Sequence, residues 1–442
     1  MPTRSRATLL LSWVIAVVIY FHYKASVSMR ADWTHDDLMN CYRAFETPWR
    51  QIFIDIVCFW KPTVLYRPLG ELFYKVGFEL FGFQAWPWRF VVSTLLVLNA
   101  FILGHVATRL SGSLAYGLAA TVIAAFHTYW VHLYLNTGTI FEVLSFTFVY
   151  AGLACYVQFY ERRWVLLPTA ILFILGMNSK ESAIVLPAFL VLYDLLWHKR
   201  INWTLWALFG AMSGAFIFGR VLAPQGLASI GQYKPQYSLT VYLDHFRNYF
   251  GTLVLWQTIQ LWQAQLLALA PLLLRRSRVA AFAALVFPVG ILPLAFVPDR
   301  GLEGVYIACA GLALGVPCIL LLLHKESMRM AGAIAIFGAL IVWMPGRVDL
   351  DGVEQEYDTI RHFHQALKTA APTLPPGVQI RFLHEPFRPE FESWASTFIA
   401  RLLYRDASIV VVAPNNPHTR DYPEDRDFAV FDWRANRVIR VK

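Results

Sequence analysis

Charge is scarce in this chain, so the places where ionisable residues gather carry most of its chemical information. Of 442 residues, 57% are hydrophobic, 16% aromatic and only 15% charged. Three carboxylates and a histidine nevertheless crowd together as Asp32, His35, Asp36 and Asp37, just beyond the first long apolar run. Dehydrating such groups at a membrane boundary costs free energy, which favours a site over an incidental cluster. The spacing suits a helix start equally well, with Asp36 or Asp37 capping a helix that runs through Leu38, Met39 and Cys41. A partly dehydrated carboxylate in this position is able to accept a proton from a hydroxyl.

The remaining chemically suggestive residues lie far apart in sequence. Lys180 and Glu181 are adjacent, either as an interfacial lysine with its counter-ion or as a phosphate-binding cation steadied by a carboxylate. Arg67 precedes Pro68. Arg300 and Tyr306 stand six residues apart near a late apolar run and offer a planar fork for phosphate and a hydroxyl on a stiff arm. Each of these also suits an ordinary loop or interfacial role. Glu142 falls several residues inside an apolar run, a depth at which an acid faces a cavity or a partner rather than lipid. No HExxH, Walker A, GxGxxG or GxSxG pattern occurs, so the enzyme classes that depend on them gain no support. Asp36 and Asp37 could share a divalent metal, but no third ligand stands at convincing spacing and no cofactor is required.

The elements that must bring these residues together are membrane helices. Apolar runs of spanning length recur about eleven times over residues 7–345, which predicts a polytopic α-helical membrane domain covering 1–345. Alternate connections hold Arg109, Arg162 with Arg163, Lys199 with Arg200, Arg275 to Arg278, and Lys325 with Arg329. A basic residue in every one of them predicts a cytoplasmic N-terminus and explains the net charge of +9 without nucleic acid as a partner. The acidic cluster, Lys180, Arg300 and the tail then share the opposite, periplasmic side. A bacterial inner membrane is the expected location.

The first outer loop, 24–87, is too long for a simple connector and rich in aromatics. Helical spacing over 49–59 and 69–81 predicts interfacial helices. Cys41 and Cys58 share this loop, and would be able to pair in an oxidising compartment. From residue 346 onward charge becomes frequent and no run reaches spanning length. Val353, Tyr357, Ile360, Phe363 and Leu367 mark one helix face, and Phe391, Trp394, Phe398 and Leu402 a second. Strands are predicted over 378–383 and 408–413, with a closing hairpin near Ala435-Asn436, giving a small exoplasmic α/β domain over 346–442.

Taken in order, the acidic pair after the first span, Tyr66-Arg67-Pro68-Leu69 followed by Phe78-Glu79-Leu80-Phe81-Gly82, Lys180-Glu181-Ser182-Ala183 with Pro187, and Arg300 with Tyr306 resemble the GT-C superfamily of integral-membrane glycosyltransferases. The likeness is to its protein-mannosyltransferase and aminoarabinose-transferase-like branch, and it covers about 1–345. It implies a polyprenyl-phosphate sugar as donor, a glycan, lipid or protein acceptor, and an active site at the outer membrane surface. By the same resemblance Asp36 corresponds to the catalytic carboxylate and Asp37 to its acidic neighbour, while Lys180, Arg67 and Arg300 fit contacts to the donor phosphate. One base and two or three cations suffice for transfer with inversion at the sugar. A membrane protein that binds or transports lipid-linked glycans without chemistry is the alternative. It predicts these side chains scattered rather than gathered.

Overall fold

The computed structural model describes residues 3–442 apart from 31, 62–66, 128–129, 225, 275–276, 298–300, 344–350, 417 and 420–421. The helices run in the order α1 Thr3–Ala25, α2 His35–Glu46, α3 Trp49–Val57, α4 Pro68–Phe81, α5 Ala85–Ser111, α6 Leu114–Phe126, α7 Val131–Leu135, α8 Ile140–Phe159, α9 Leu166–Ser179, α10 Leu186–Tyr193 and α11 Trp203–Phe216. They continue with α12 Leu239–Leu253, α13 Leu261–Leu269, α14 Arg278–Gly290, α15 Leu292–Ala295, α16 Ala310–Gly315, α17 Glu326–Trp343, α18 Asp351–Ala370, α19 Pro389–Glu392 and α20 Ala395–Tyr404.

Among the described residues, six helical stretches are long and apolar enough to cross a membrane: Leu10–Arg30, Ala85–Ser111, Thr137–Phe159, Glu181–His198, Trp203–Ser229 and Arg278–Ala295. Four shorter apolar helices, Leu114–Phe126, Arg163–Ser179, Leu261–Leu273 and Ala310–Leu322, fall where the sequence predicts further spans. One predicted span, 251–273, is broken: α12 ends at Leu253 and Leu255 adopts a left-handed φ of 60° before α13 begins. A residue with that φ cannot continue a right-handed helix.

Membrane helices lack a hydrophobic drive toward one another, so their contacts rely on small residues that admit close approach. The α5–α6 pair shows this directly. A Cβ on Gly104 would lie 1.9 Å from Thr121 Oγ1, and one on Gly117 would lie 2.6 Å from the Gly104 carbonyl. Thr108 and Thr121 turn their hydroxyls back to the carbonyls of Gly104 and Gly117, so both hydroxyls are satisfied within their own helices.

The first outer loop folds into α2, α3 and α4. Helix α3 is amphipathic, with Phe53 and Val57 exposed, as an interfacial helix requires. Helix α4 is amphipathic too, with Val76 and Leu80 exposed. It buries Glu71, Tyr74, Lys75 and Phe78 against the bundle and acts as a wall of the core. Cys41 and Cys58 are both free, Cys41 wholly buried on α2.

The C-terminal part carries a four-stranded sheet of β1 Gln379–Phe382, β2 Val410–Val412, β3 Asp427–Arg434 and β4 Arg437–Arg440, in the order β2-β1-β3-β4. Strand β1 is parallel to both β2 and β3, whereas β3 and β4 form an antiparallel hairpin. That hairpin turns at Ala435-Asn436, both with positive φ, the two-residue turn whose twist matches the strands. Ile360, Phe363 and Leu367 from α18 and Ile399 and Leu402 from α20 bury against Ile380, Phe382, Val411 and Phe431.

Candidate active site

The N-terminus of α2 decides where its acidic residues point. Thr34 is the N-cap: its hydroxyl accepts from the Asp37 amide, and Asp37 accepts from the Thr34 amide, closing a capping box. Asp37 is drawn inward by two further bonds. Tyr74 donates its hydroxyl to Oδ1 at 3.1 Å, and the buried Arg89 guanidinium sits 3.0 Å from Oδ2. Arg89 also donates to Thr137 Oγ1 and to the Asp32 carbonyl. The cap is thus Thr34 rather than Asp36 or Asp37; Asp37 is the third residue of the helix, faces the protein interior and does not line the cavity described below.

Successive residues on a helix point about 100° apart, so Asp36 faces elsewhere. Asp36, Met39, Asn40 and Arg43, at i, i+3, i+4 and i+7, form one stripe on the wall of a cavity of about 390 Å³. The segment after α7 fixes this edge. Asn136 Oδ1 accepts from the Gly138 amide and from Thr34 Oγ1. Gly138 comes so close that an added Cβ would lie 2.9 Å from Asp36 Cβ.

The facing wall is built from Arg67 just before α4, the start of α8, Lys180 to Ser182 just after α9, and Pro293 and Leu294 of α15. Helix α9 stops at Ser179, and Lys180 takes an extended backbone with φ −158° and ψ 148°. Side chains on extended backbone alternate, so sequence neighbours Lys180 and Glu181 reach different partners. Lys180 Nζ pairs with Glu142, in the first turn of α8. Glu181 instead receives Arg67 as a two-pronged pair, with Nε and Nη2 at 3.1 and 3.0 Å from its two oxygens. Arg67 also lies over the Phe141 ring at 5.2 Å. Burial alone would lower its pKa, but the Glu181 carboxylate and then the Tyr233 hydroxyl outweigh burial and hold the guanidinium charged.

Asp36, Arg67, Glu142, Lys180 and Glu181 therefore line one cavity, although Glu181 stands 145 positions after Asp36 in the sequence. Two other predicted residues, His35 and Tyr306, lie apart from it. His35 turns toward the C-terminal domain, with Nε2 3.5 Å from Glu392 and its ring against Trp394. Tyr306 is buried, stacked on Phe146 at 4.3 Å and edge-on to Trp130. Arg300 lies outside the described residues, although Gly301, Glu303 and Gly304 just after it line the cavity. Among the described residues, no three His, Cys, Asp or Glu side chains gather as a metal would need.

Sequence reasoning missed Arg43, Tyr233 and Glu303 in the cavity wall. Arg43 carries a legible signal, since it stands seven residues after Asp36 on an amphipathic helix. Tyr233 and Glu303 carry none, because short 3₁₀ turns place them.

No protein-family model and no curated protein matches this chain. Solved structures do. The crystal structure of ArnT from Cupriavidus metallidurans bound to undecaprenyl phosphate aligns with a TM-score of 0.55 at 15% identity, over 96% of this chain and 90% of that one. The apo form of the same ArnT aligns at 0.51 and 16% identity, over 95% and 89%. The chain shares the fold of these ArnT structures. The ArnT likeness runs over nearly the full length of both chains, so the C-terminal α/β part belongs to the shared architecture as well as the helical bundle.

Proposed function

We propose that this chain is a membrane glycosyltransferase that moves a sugar from a polyprenyl-phosphate donor to an acceptor hydroxyl in the cavity between α2, the start of α8 and the segments just before α4 and just after α9. One observation carries the reading: a carboxylate on α2 and two carboxylate-steadied cations, from three distant parts of the chain, line a single chamber in a protein with the ArnT fold. One of the two ArnT structures holds undecaprenyl phosphate, the class of carrier proposed as donor here.

In this scheme the acceptor oxygen attacks the anomeric carbon, the bond from that carbon to the phosphate oxygen breaks, and its electron pair leaves with the polyprenyl phosphate. The acceptor proton passes to Asp36. Phosphate is already a good leaving group, so the larger demand is for cations where negative charge develops. Lys180 and Arg67 meet it. Each is oriented beforehand by its carboxylate. A single displacement inverts the sugar. By the distribution of basic connections the chamber opens on the periplasmic side of a bacterial inner membrane.

The test is release of polyprenyl phosphate from a polyprenyl-phosphate sugar by the purified protein in lipid nanodiscs. Wild type turns over, and Asp36→Asn loses about 10²-fold or more of the rate, the usual worth of a general base. Equal turnover by Asp36→Asn removes the assigned base. Donor binding without any product by wild type removes the enzyme.

A further inference from the structure

Helix α2 has three contact faces. One carries Asp36 and Arg43 to the cavity, and a second sends Asp37 inward to Tyr74 and Arg89. The third, made of His35, Tyr42 and Glu46, faces the C-terminal domain: Tyr42 and Glu46 meet α20, and His35 meets Glu392 of α19 and Trp394. The Tyr42 ring stacks flat on Phe398 at 3.9 Å and 13°, and Phe398 is backed by Trp394 at 4.8 Å. Arg401 donates to the Tyr42 hydroxyl, which itself donates to Glu46, and its guanidinium stands 3.7 Å from Glu46. Next to this contact, Arg405 pairs with Glu79 at 3.0 Å, and His364 of α18 stacks on Phe83 at 5.0 Å.

A flat aromatic stack resists rotation of a helix about its own axis better than aliphatic packing does, because turning the ring out of parallel opens the contact. Rotation is the motion that matters here: turning α2 would swing Asp36 away from the cavity and carry Asp37 toward it. The ends of α2 are tied, by the capping box at one and by Lys75, which donates to the Phe45 and Thr47 carbonyls, at the other. The middle of the helix is held on the α20 side by Tyr42.

We infer that the C-terminal domain is the positioning element of the proposed base: Phe398 and Arg401, acting through Tyr42, set the rotation of α2 that presents Asp36 to the donor. The inference rests on the glycosyltransferase reading and assigns the domain a part in that same site. Phe398 and Arg401 are positioning residues and do not line the cavity. The donor cations Arg67 and Lys180 belong to other elements, so disturbing α2 affects the rate and spares donor binding.

The experiment compares Phe398→Ala, Phe398→Tyr and Arg401→Gln with wild type in the full-length protein in nanodiscs. Steady-state turnover is measured over a range of polyprenyl-phosphate sugar. Phe398→Ala lowers kcat about ten-fold, the scale of a displacement somewhat under 1 Å, with donor KM unchanged within about two-fold. Phe398→Tyr, which keeps the stacking ring, restores kcat. Unchanged kcat in Phe398→Ala overturns the inference, as does a rise in KM that matches the loss, or a Phe398→Tyr variant as slow as the alanine. Should Phe398→Ala fail to fold, Arg401→Gln answers the same question at the edge of the contact, where a lower kcat at constant KM supports the inference and an unchanged kcat overturns it. Absence of turnover in wild type removes the glycosyltransferase reading and this inference together, whereas turnover in wild type with unaffected variants removes the inference alone.

Discussion

Two carboxylate–cation clusters lie on either side of the first turn of α2, and they use the same chemistry for different ends. On the inner side Asp37, Arg89, Tyr74 and Thr137 close around a void of about 10 Å³, room for one water at most. On the other side Asp36, Lys180 with Glu142, and Arg67 with Glu181 surround about 390 Å³, within the size range of small-molecule sites. Asp37 accepts from a tyrosine hydroxyl, a backbone amide and a guanidinium, so its oxygens are committed to holding the fold. The open cluster has space in which a phosphate and a sugar would compete for its cations. Access, rather than residue type, separates a structural ion pair from a candidate site.

The comparison breaks most readily at Arg89. Replacing it with leucine leaves Asp37 as a buried charge without its cation, a loss on the order of 3–5 kcal/mol. The midpoint of unfolding in mixed detergent micelles should fall sharply while any folded fraction keeps its donor affinity. Next in size is the contrast within the acidic pair. Asp36→Asn should lose about 10²-fold in turnover at an unchanged melting temperature, whereas Asp37→Asn should lower the melting temperature first. Side-by-side thermal melts and rates decide this, and the opposite ranking would exchange the roles of the two clusters.

Arg67→Lys should raise donor KM about ten-fold with a smaller change in kcat, because a lysine cannot hold Glu181 with two parallel bonds and still present donors to a phosphate. Donor titration measures it. The smallest expected effect concerns Asp32, beside the sealed cluster. Burial raises its carboxyl pKa above 3.8, against the opposing pull of the Trp33 amide and of Arg361 and Arg89. A carboxyl raised in the folded state contributes stability that is complete below its unfolded pKa and is lost as pH rises through the folded value. Asp32→Asn should therefore flatten the decline in stability above about pH 4 that wild type shows, as read from unfolding midpoints across pH.

Parts of this architecture were legible residue by residue. The stripe of Ile360, Phe363 and Leu367 announced α18, and Ala435-Asn436 announced the hairpin, because hydrophobic period and turn chemistry are local properties. Helix α2 was legible only in part. Thr34 with Asp37 has the spacing of a capping box, yet the separate destinations of Asp36 and Asp37 depend on Tyr74 and Arg89, which are 37 and 52 residues away. The short apolar helices show the opposite problem. Composition marks the run over 251–273, while the left-handed Leu255 that interrupts it leaves no trace in hydropathy.

By itself the sequence determined the solvent this protein lives in, the C-terminal α/β elements, and which rare charged residues are available for chemistry. Those follow from composition and from periodicities of two to four residues, which every window of the chain carries. Only the tertiary structure decided that Lys180 meets Glu142 while its neighbour Glu181 meets Arg67, that Arg43 and Tyr233 join the chamber, and that His35 and Tyr306 lie elsewhere. Such pairings are set by where distant backbones end and which way the last residue turns, and no local pattern encodes the sum of those turns.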